Sequence, residues 1–337
     1  MADLSTTYMG IPLKNPLILG ASNLVSKPQI ISQLEEAGIA AIVYKSLFEE
    51  QVQLESLQMI EEMGEYENRS AEMSRIFPNL EHAGPKEHLM NLKKLKDQVK
   101  VPVIGSLNAI YEPTWVEYAR ALENTGIDGL EINLYATPGY FEMSGNSLEE
   151  KQLEIIKSIK QVVKIPVSVK ISPFYTNTLN FIKKADEAGA DAYVLFNRFF
   201  QPEIDVEKEE FNYPWELTSP QDHMLSLRYA GLLYGNLDGS VCINRGLYTS
   251  EDVIRAILAG ADVVQIVSTI YKNQPGVVTS ILNGLNTWMD KKKYATLADF
   301  RGKLSRKNLK DPFSYQRAQY VDILAKSESI FKKYPMV

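Results

Sequence analysis

Two lysines stand inside apolar runs, Lys45 in VYKS and Lys170 in SVKIS. A charged side chain in such a run is costly unless it is paired or binds something. At a strand end a lysine can hold an anionic group, stabilise developing negative charge or form a Schiff base. One such lysine reads as a side chain reaching solvent; two favour function. Asn133 in EINLYATPGY and Asn197 in VLFNRF offer amides with a donor and an acceptor each, which suits a heterocyclic ring with amide edges. Taken singly, each reads equally as a turn cap. A third group comprises Arg245 and Gly246 in INRGLYTSED with Ser268 and Thr269 in IVSTIYKN. Backbone N–H groups beside a short helix start suit a phosphate, and Arg245 can add a bidentate contact. Their structural reading is a glycine turn and a helix cap.

Other residues carry less. His82, His88 and His223 have no metal-ligand spacing and read as surface or capping residues. Cys242, the single cysteine, excludes an intrachain disulfide and a cysteine metal cluster, and reads as a small core residue. The acidic run EEQVQLESLQMIEEMGEYE reads as a solvated helix face. There is no Walker loop, no GxGxxG and no GxSxG.

The elements that must position these residues are eight short apolar runs: 16–22, 40–46, 102–108, 129–135, 167–173, 192–197, 240–246 and 263–269. Continuous β-branched runs suit strands buried on both faces, as in an all-parallel sheet. Eight of them, separated by helix-length segments, predict a (β/α)8 TIM barrel, whose active site forms where the strands end. Four segments close with Gly directly before a strand (EEAGIAAIV, ENTGIDGLEI, DEAGADAYV and ILAGADVVQI), and two place Pro there (KVPVIGS and KIPVSVK). Residues 147–163 read as a helix with a Ser N-cap. TTYMGIPLKNPLI reads as a hairpin that plugs the barrel floor. Long insertions follow the second strand (47–99) and the sixth (198–239), with the character of lids or binding loops. One domain is expected, a barrel core of about 16–290 with a helical, basic C-terminal extension of about 291–337 packed outside.

The chain has 337 residues, 45% hydrophobic and 23% charged, with net charge −6 and pI near 5.4. That balance argues against nucleic acid and anionic membranes as partners. No apolar run reaches the roughly 18 residues of a membrane span. The N-terminus lacks the pattern of a signal peptide, so a cytoplasmic protein is expected.

The order TTYMGIPLKNPLILGAS, VYKS, EINLYATP, SVKIS, FN, INRGL, GADVVQIVST and YATLADFRGKL resembles the dihydroorotate dehydrogenase family, most nearly its soluble class 1 members, from about Thr6 to Leu304. In that family a barrel holds FMN at its strand ends and oxidises dihydroorotate, a small cyclic amide, by hydride transfer to flavin N5. The resemblance implies that Ala21, Ser22, Lys45 and Ser46 lie beside the flavin, with Lys45 also near the substrate. It implies that Asn133 is shared by flavin and substrate, that Lys170 lies beside the flavin N1–O2 edge, and that Asn197 contacts the substrate amide with Phe196 beside it. Arg245, Gly246, Ser268 and Thr269 fall on the phosphate cradle. A homodimer is the family expectation.

Three departures stand out. The family's Asn-Leu-Ser-Cys-Pro, with Cys (Ser in class 2) as base, is here Asn133-Leu134-Tyr135-Ala136-Thr137-Pro138. The base position falls on Ala136 counting from Asn133, and on Thr137 counting back from Pro138. Thr137 is therefore the candidate base, with Tyr135 and Tyr140 outside it. The family's substrate loop, Asn-Ser-Met-Gly-Leu-Pro-Asn, is Met73-Ser74-Arg75-Ile76-Phe77-Pro78-Asn79, and Arg245 replaces a phosphate-loop glycine. Two further readings stay open: a flavin-free Schiff-base lyase or aldolase acting on a phosphorylated substrate, and a catalytically altered FMN-binding protein.

Overall fold

All eight apolar runs form strands, and each pairs in parallel with the next. The structure is a computed structural model that describes residues 2–54, 85–135, 141–198, 202–214, 216–326 and 332. A small antiparallel hairpin, β1 (Thr6–Tyr8) and β2 (Ile11–Leu13), precedes the barrel. The barrel strands are β3 (Leu17–Leu19), β4 (Ala41–Phe48), β5 (Val103–Asn108), β6 (Gly129–Asn133), β7 (Val167–Ile171), β8 (Ala192–Leu195), β11 (Ser240–Ile243) and β12 (Val263–Ile266). They close in the order β11-β12-β3-β4-β5-β6-β7-β8. Helices between them form the outer ring: α1 (Pro28–Ala37), α2 (Lys86–Gln98), α3 (Glu112–Glu123), α4 (Gly145–Val162), α5 (Thr178–Glu187), α6 (Met224–Leu233) and α7 (Ser250–Ala259). After β12 come α8 (Ser268–Asn273), α9 (Val277–Lys292) and α10 (Arg317–Ala325).

The repeated joints work as their sequence implies. Gly38 and Gly260 end α1 and α7 at φ +106° and +130°, where a Cβ would strain the chain. In three of these joints an Asp follows the Gly by two residues and ties the new strand to its neighbour. Asp128, Asp191 and Asp262 accept from the N–H of Val103, Val167 and Val241, and bind Lys96, Lys160 and Arg301 respectively.

Strand alternation divides the core into two. Residues such as Ile42, Leu130, Val169 and Leu195 face the helices, whereas Ile18, Ala41, Val43, Ile104, Val194, Cys242 and Val263 fill the barrel. The hairpin closes the floor as expected. Tyr8 and Met9 are buried with the interior residues, and the Met9 N–H donates to Ser240 Oγ at 3.3 Å. Gly129 has no side chain because Met9 lies there: a Cβ would stand 2.7 Å from Met9 Cε.

Some details differ from the sequence reading. The cap of α4 is Ser144, which accepts from Ser147 N at 3.1 Å, so the helix starts earlier than its apolar pattern. Glu49, read as part of a solvated face, is 3% exposed and accepts from Ile110 N, Tyr111 N and Thr114 Oγ1, joining the end of β4 to the start of α3. The insertion after β8 carries a hairpin, β9 (Glu203–Asp205) with β10 (Glu210–Asn212). Beyond α9, Leu297 and Phe300 are buried against the barrel's outer layer, whereas α10 buries nothing.

Met9→Ala would open a void in the floor, and a loss of about 2–5 kcal/mol is expected. Urea unfolding reads it as a lower midpoint with unchanged slope.

Candidate active site

Above the apolar floor the barrel interior turns polar. Inward positions place Ser106 of β5, Glu131 of β6, Ser168 and Lys170 of β7 and Gln265 of β12 inside the barrel, with Ser106, Glu131 and Ser168 in register across β5, β6 and β7. Glu131 is fully buried. Its Oε1 stands 3.4 Å from Lys170 Nζ, and its Oε2 accepts from Gln265 Nε2 at 2.6 Å. One turn of pleat further up, Asn197 Nδ2 donates to Asn133 Oδ1 at 2.6 Å, so the two predicted amides meet across β7. Ser46 Oγ and Ser106 Oγ share a hydrogen bond of 2.7 Å. Lys45 has no carboxylate in ion-pair range among the described residues.

The ends of β3, β8, β11 and β12 surround an open cavity that Ser22, Lys170, Asn197, Arg245, Gly246 and Ser268 line. Arg245 holds φ +69°, a left-handed conformation that costs a side-chain-bearing residue about 1–2 kcal/mol. Its Nη1 donates to Asn197 O at 3.3 Å, and burial lowers the guanidinium pKa from its usual value. Gly246 follows at φ +60°, with space for nothing larger: a Cβ would lie 2.4 Å from Ser219 O. Its N–H donates to Thr218 Oγ1 at 3.1 Å, and that hydroxyl bonds Ser268 Oγ at 2.8 Å. His223, expected at the surface or as a cap, is buried beneath this loop, its Nδ1 3.0 Å from Gly246 O.

The predicted residues that the structure describes thus fall into three sets. Ala21, Ser22, Lys170, Asn197, Arg245, Gly246 and Ser268 line the cavity. Lys45, Ser46 and Asn133 stand across the mouth on β4 and β6. Two side chains do not reach it. Phe196 is 1% exposed and packs edge-on against Tyr229, 5.2 Å between ring centres, because it turns toward the helix layer. Thr269 is wholly buried, with its hydroxyl on Tyr248 O at 3.5 Å. Ala136, Thr137, Tyr140, Met73 with the rest of its loop, and His82 lie outside the described residues. Sequence reading passed over Glu131, Gln265 and Thr218. An acid and an amide inside the runs GLEINLY and VVQIVST were the available signal.

Whether these residues fit a flavin can be judged from their unmet valences. Among the described residues, Ser22 Oγ, Asn244 Oδ1, Arg245 Nε and Gln265 Oε1 are buried without a hydrogen-bond partner, and all four residues line this cavity. Buried polar groups of this kind are ordinarily satisfied. A ligand with donors and acceptors at one end and an anion at the other meets them, and Lys170 and Arg245 supply cations at the two ends. No cluster of metal-binding side chains exists among the described residues.

The comparisons agree with that geometry. Residues 3–289 match the family model for dihydroorotate dehydrogenase. The chain belongs to the dihydroorotate dehydrogenase family, and its barrel is that of a dihydroorotate dehydrogenase-like oxidoreductase. It is 29% identical over 307 residues to a dihydroorotate dehydrogenase B (NAD(+)) catalytic subunit of Thermoplasma volcanium, covering 90% of this chain and 98% of the relative. The Thermoplasma acidophilum counterpart is also 29% identical, over 90% and 99%. That of Methanocaldococcus jannaschii is 25% identical, over 80% and 87%. Membership implies a flavin cofactor and a small-molecule substrate, and gives the Schiff-base lyase no support. Among the described residues, no helix is long and apolar enough to cross a membrane.

His88 gives this end of the barrel a pH dependence. Burial, and then the charge of Lys45, push its imidazole down to about 4, and its ring packs edge-on against Tyr44. The unfolded chain, with an ordinary value near 6.5, takes up a proton that the folded chain refuses. Stability therefore falls as pH drops from about 6.5 to 4, by about 3 kcal/mol in full. His88→Phe is expected to flatten that slope in denaturation curves measured across the window.

Proposed function

We propose that this protein is an FMN-dependent dehydrogenase that oxidises dihydroorotate or a closely related small cyclic amide. The observation that carries the reading is the single cavity at the strand ends. It combines a paired lysine, an arginine–glycine turn and four partnerless polar atoms.

Bound FMN would supply the hydride acceptor, N5 of its ring. Lys170 would set its ammonium against the negative charge that gathers on the reduced ring. Asn133 and Asn197, already joined to each other, would hold the amide edges of flavin and substrate, and Lys45 would orient the substrate through its charge. Arg245, Gly246 and Ser268 would take the phosphate, with Ala21, Ser22 and Ser46 beside the ring. The chain's own base would be Thr137, passing the substrate proton to water. The protein would act as a single barrel domain, a homodimer and a cytoplasmic enzyme. The relatives, named as catalytic subunits of dihydroorotate dehydrogenase B (NAD(+)), support NAD(+) as the final electron acceptor.

The visible spectrum of purified protein, followed by anaerobic dihydroorotate, tests the whole. Flavin absorbance that bleaches is expected. Flavin that stays oxidised shifts the substrate elsewhere, and protein without flavin defeats the proposal. Thr137→Val is expected to slow the bleaching about 100-fold or more, as loss of a general base does. Arg245→Gly separates strain from ligand contact. The apoprotein should melt at a higher temperature, because glycine accepts the left-handed turn. FMN affinity should fall about tenfold or more while riboflavin affinity stays unchanged; equal losses for both would remove Arg245 from the phosphate site.

A further inference from the structure

The acid beneath the cavity has no role in the reaction just described. Glu131 does not line the cavity, touches no solvent, and lies where an unpaired carboxylate would cost several kcal/mol. The titratable groups around it come from three elements: Lys170 of β7, Tyr8 of the floor hairpin and Cys242 of β11. Burial pushes both the Tyr8 phenol and the Cys242 thiol well up, with the charge of Glu131 adding to each, so both stay neutral. Ser106 and Ser168 bring only hydroxyls. Lys170 is therefore its ionic partner, and the dependence is mutual. The Lys170 side chain is only 12% exposed, and no other carboxylate lies in ion-pair range of it among the described residues. An ammonium so placed carries a desolvation cost that a carboxylate within ion-pair range offsets.

Glu131 also sets the Gln265 amide. A carboxylate only accepts, so Gln265 must turn its NH2 group to Glu131 Oε2. Its carbonyl oxygen is then the atom left over, buried and without a partner on the cavity side, where the Gly20 backbone passes. One carboxylate thereby dictates a cation and a neighbouring acceptor on the cavity floor.

We propose that Glu131 is a positioning residue that keeps Lys170 an ammonium and presents Gln265 as an acceptor, and so fixes the charge that the floor offers to the reduced ring. The consequence for the flavin rests on the FMN reading; the effect on Lys170 does not.

Two measurements on Glu131→Gln test it, with circular dichroism as the check that each variant folds. The first needs no cofactor. Apoprotein is labelled with acetic anhydride, which attacks neutral amines, and acetylation at Lys170 is followed by mass spectrometry against the surface lysines. Glu131→Gln should raise the Lys170 rate about tenfold and leave the others unchanged. An unchanged Lys170 rate overturns the proposal. The second measures the reduction potential of bound flavin in Glu131→Gln, Lys170→Met and the double variant. Both single variants should lower the ratio of affinities for reduced over oxidised flavin about tenfold, which is about 30 mV for a two-electron couple. The double variant should be no lower than Lys170→Met alone. Additive effects, or a rise in Glu131→Gln, overturn it. If the wild type holds no flavin, the FMN reading fails, and the labelling result alone decides for or against the role of Glu131 on Lys170.

Discussion

A closed parallel barrel of eight strands has no hollow; its interior must be filled by the side chains its own strands turn inward. Everything in this protein is arranged around how that filling changes with height. The lower half is apolar and sealed by Tyr8 and Met9. The upper half holds a carboxylate out of reach of water, Glu131, tolerable only because Lys170 and Gln265 meet it from β7 and β12. The Gln265 contact ties β12 to β6, strands that are not neighbours in the barrel. It also puts the first ordered polar level beneath the mouth, and Asn133, Asn197 and Lys45 are built upward from it.

The rim is organised differently, by main chain rather than by charge. Gly246 and Arg245 form a left-handed turn after β11, and Thr218, Ser268 and His223 fasten that turn from the insertion, from α8 and from below. Backbone in a left-handed region at a side-chain-bearing residue persists where its surroundings over-determine it. Arg245 is held there by its own contact to Asn197 O, so the turn after β11 and the amide pair at the ends of β6 and β8 share a linking residue, Asn197.

Much of this was legible in the chain. Each strand announced itself by a β-branched run of the right length, and each polar strand end by the break in that run. The floor hairpin and the glycine joints followed from local rules. What was not legible depends on closure. Glu131 and Gln265 are 134 positions apart, and nothing local to either says that the barrel brings them into contact. Thr218 belongs to an insertion whose path the flanking strands do not dictate. Phe196 adjoins Asn197 in sequence yet packs with Leu195 in the helix layer, because it lies past the last residue of β8, where strand alternation no longer dictates which way a side chain turns. The start of α4 falls three residues before the Ser147 that opens the apolar pattern, because Ser144 caps the helix outside that pattern and only the fold shows it.

The plug at the floor has a consequence for traffic. Among the described residues, with Tyr8 and Met9 packed across one end and the helix ring around the sides, the mouth is both the way in and the way out for a molecule that sits against Lys170. Whatever enters second must wait until the first has gone, or must approach over the edge of what is already seated there. Order of arrival and departure is thus written into a two-stranded hairpin at the far end of the barrel from the chemistry.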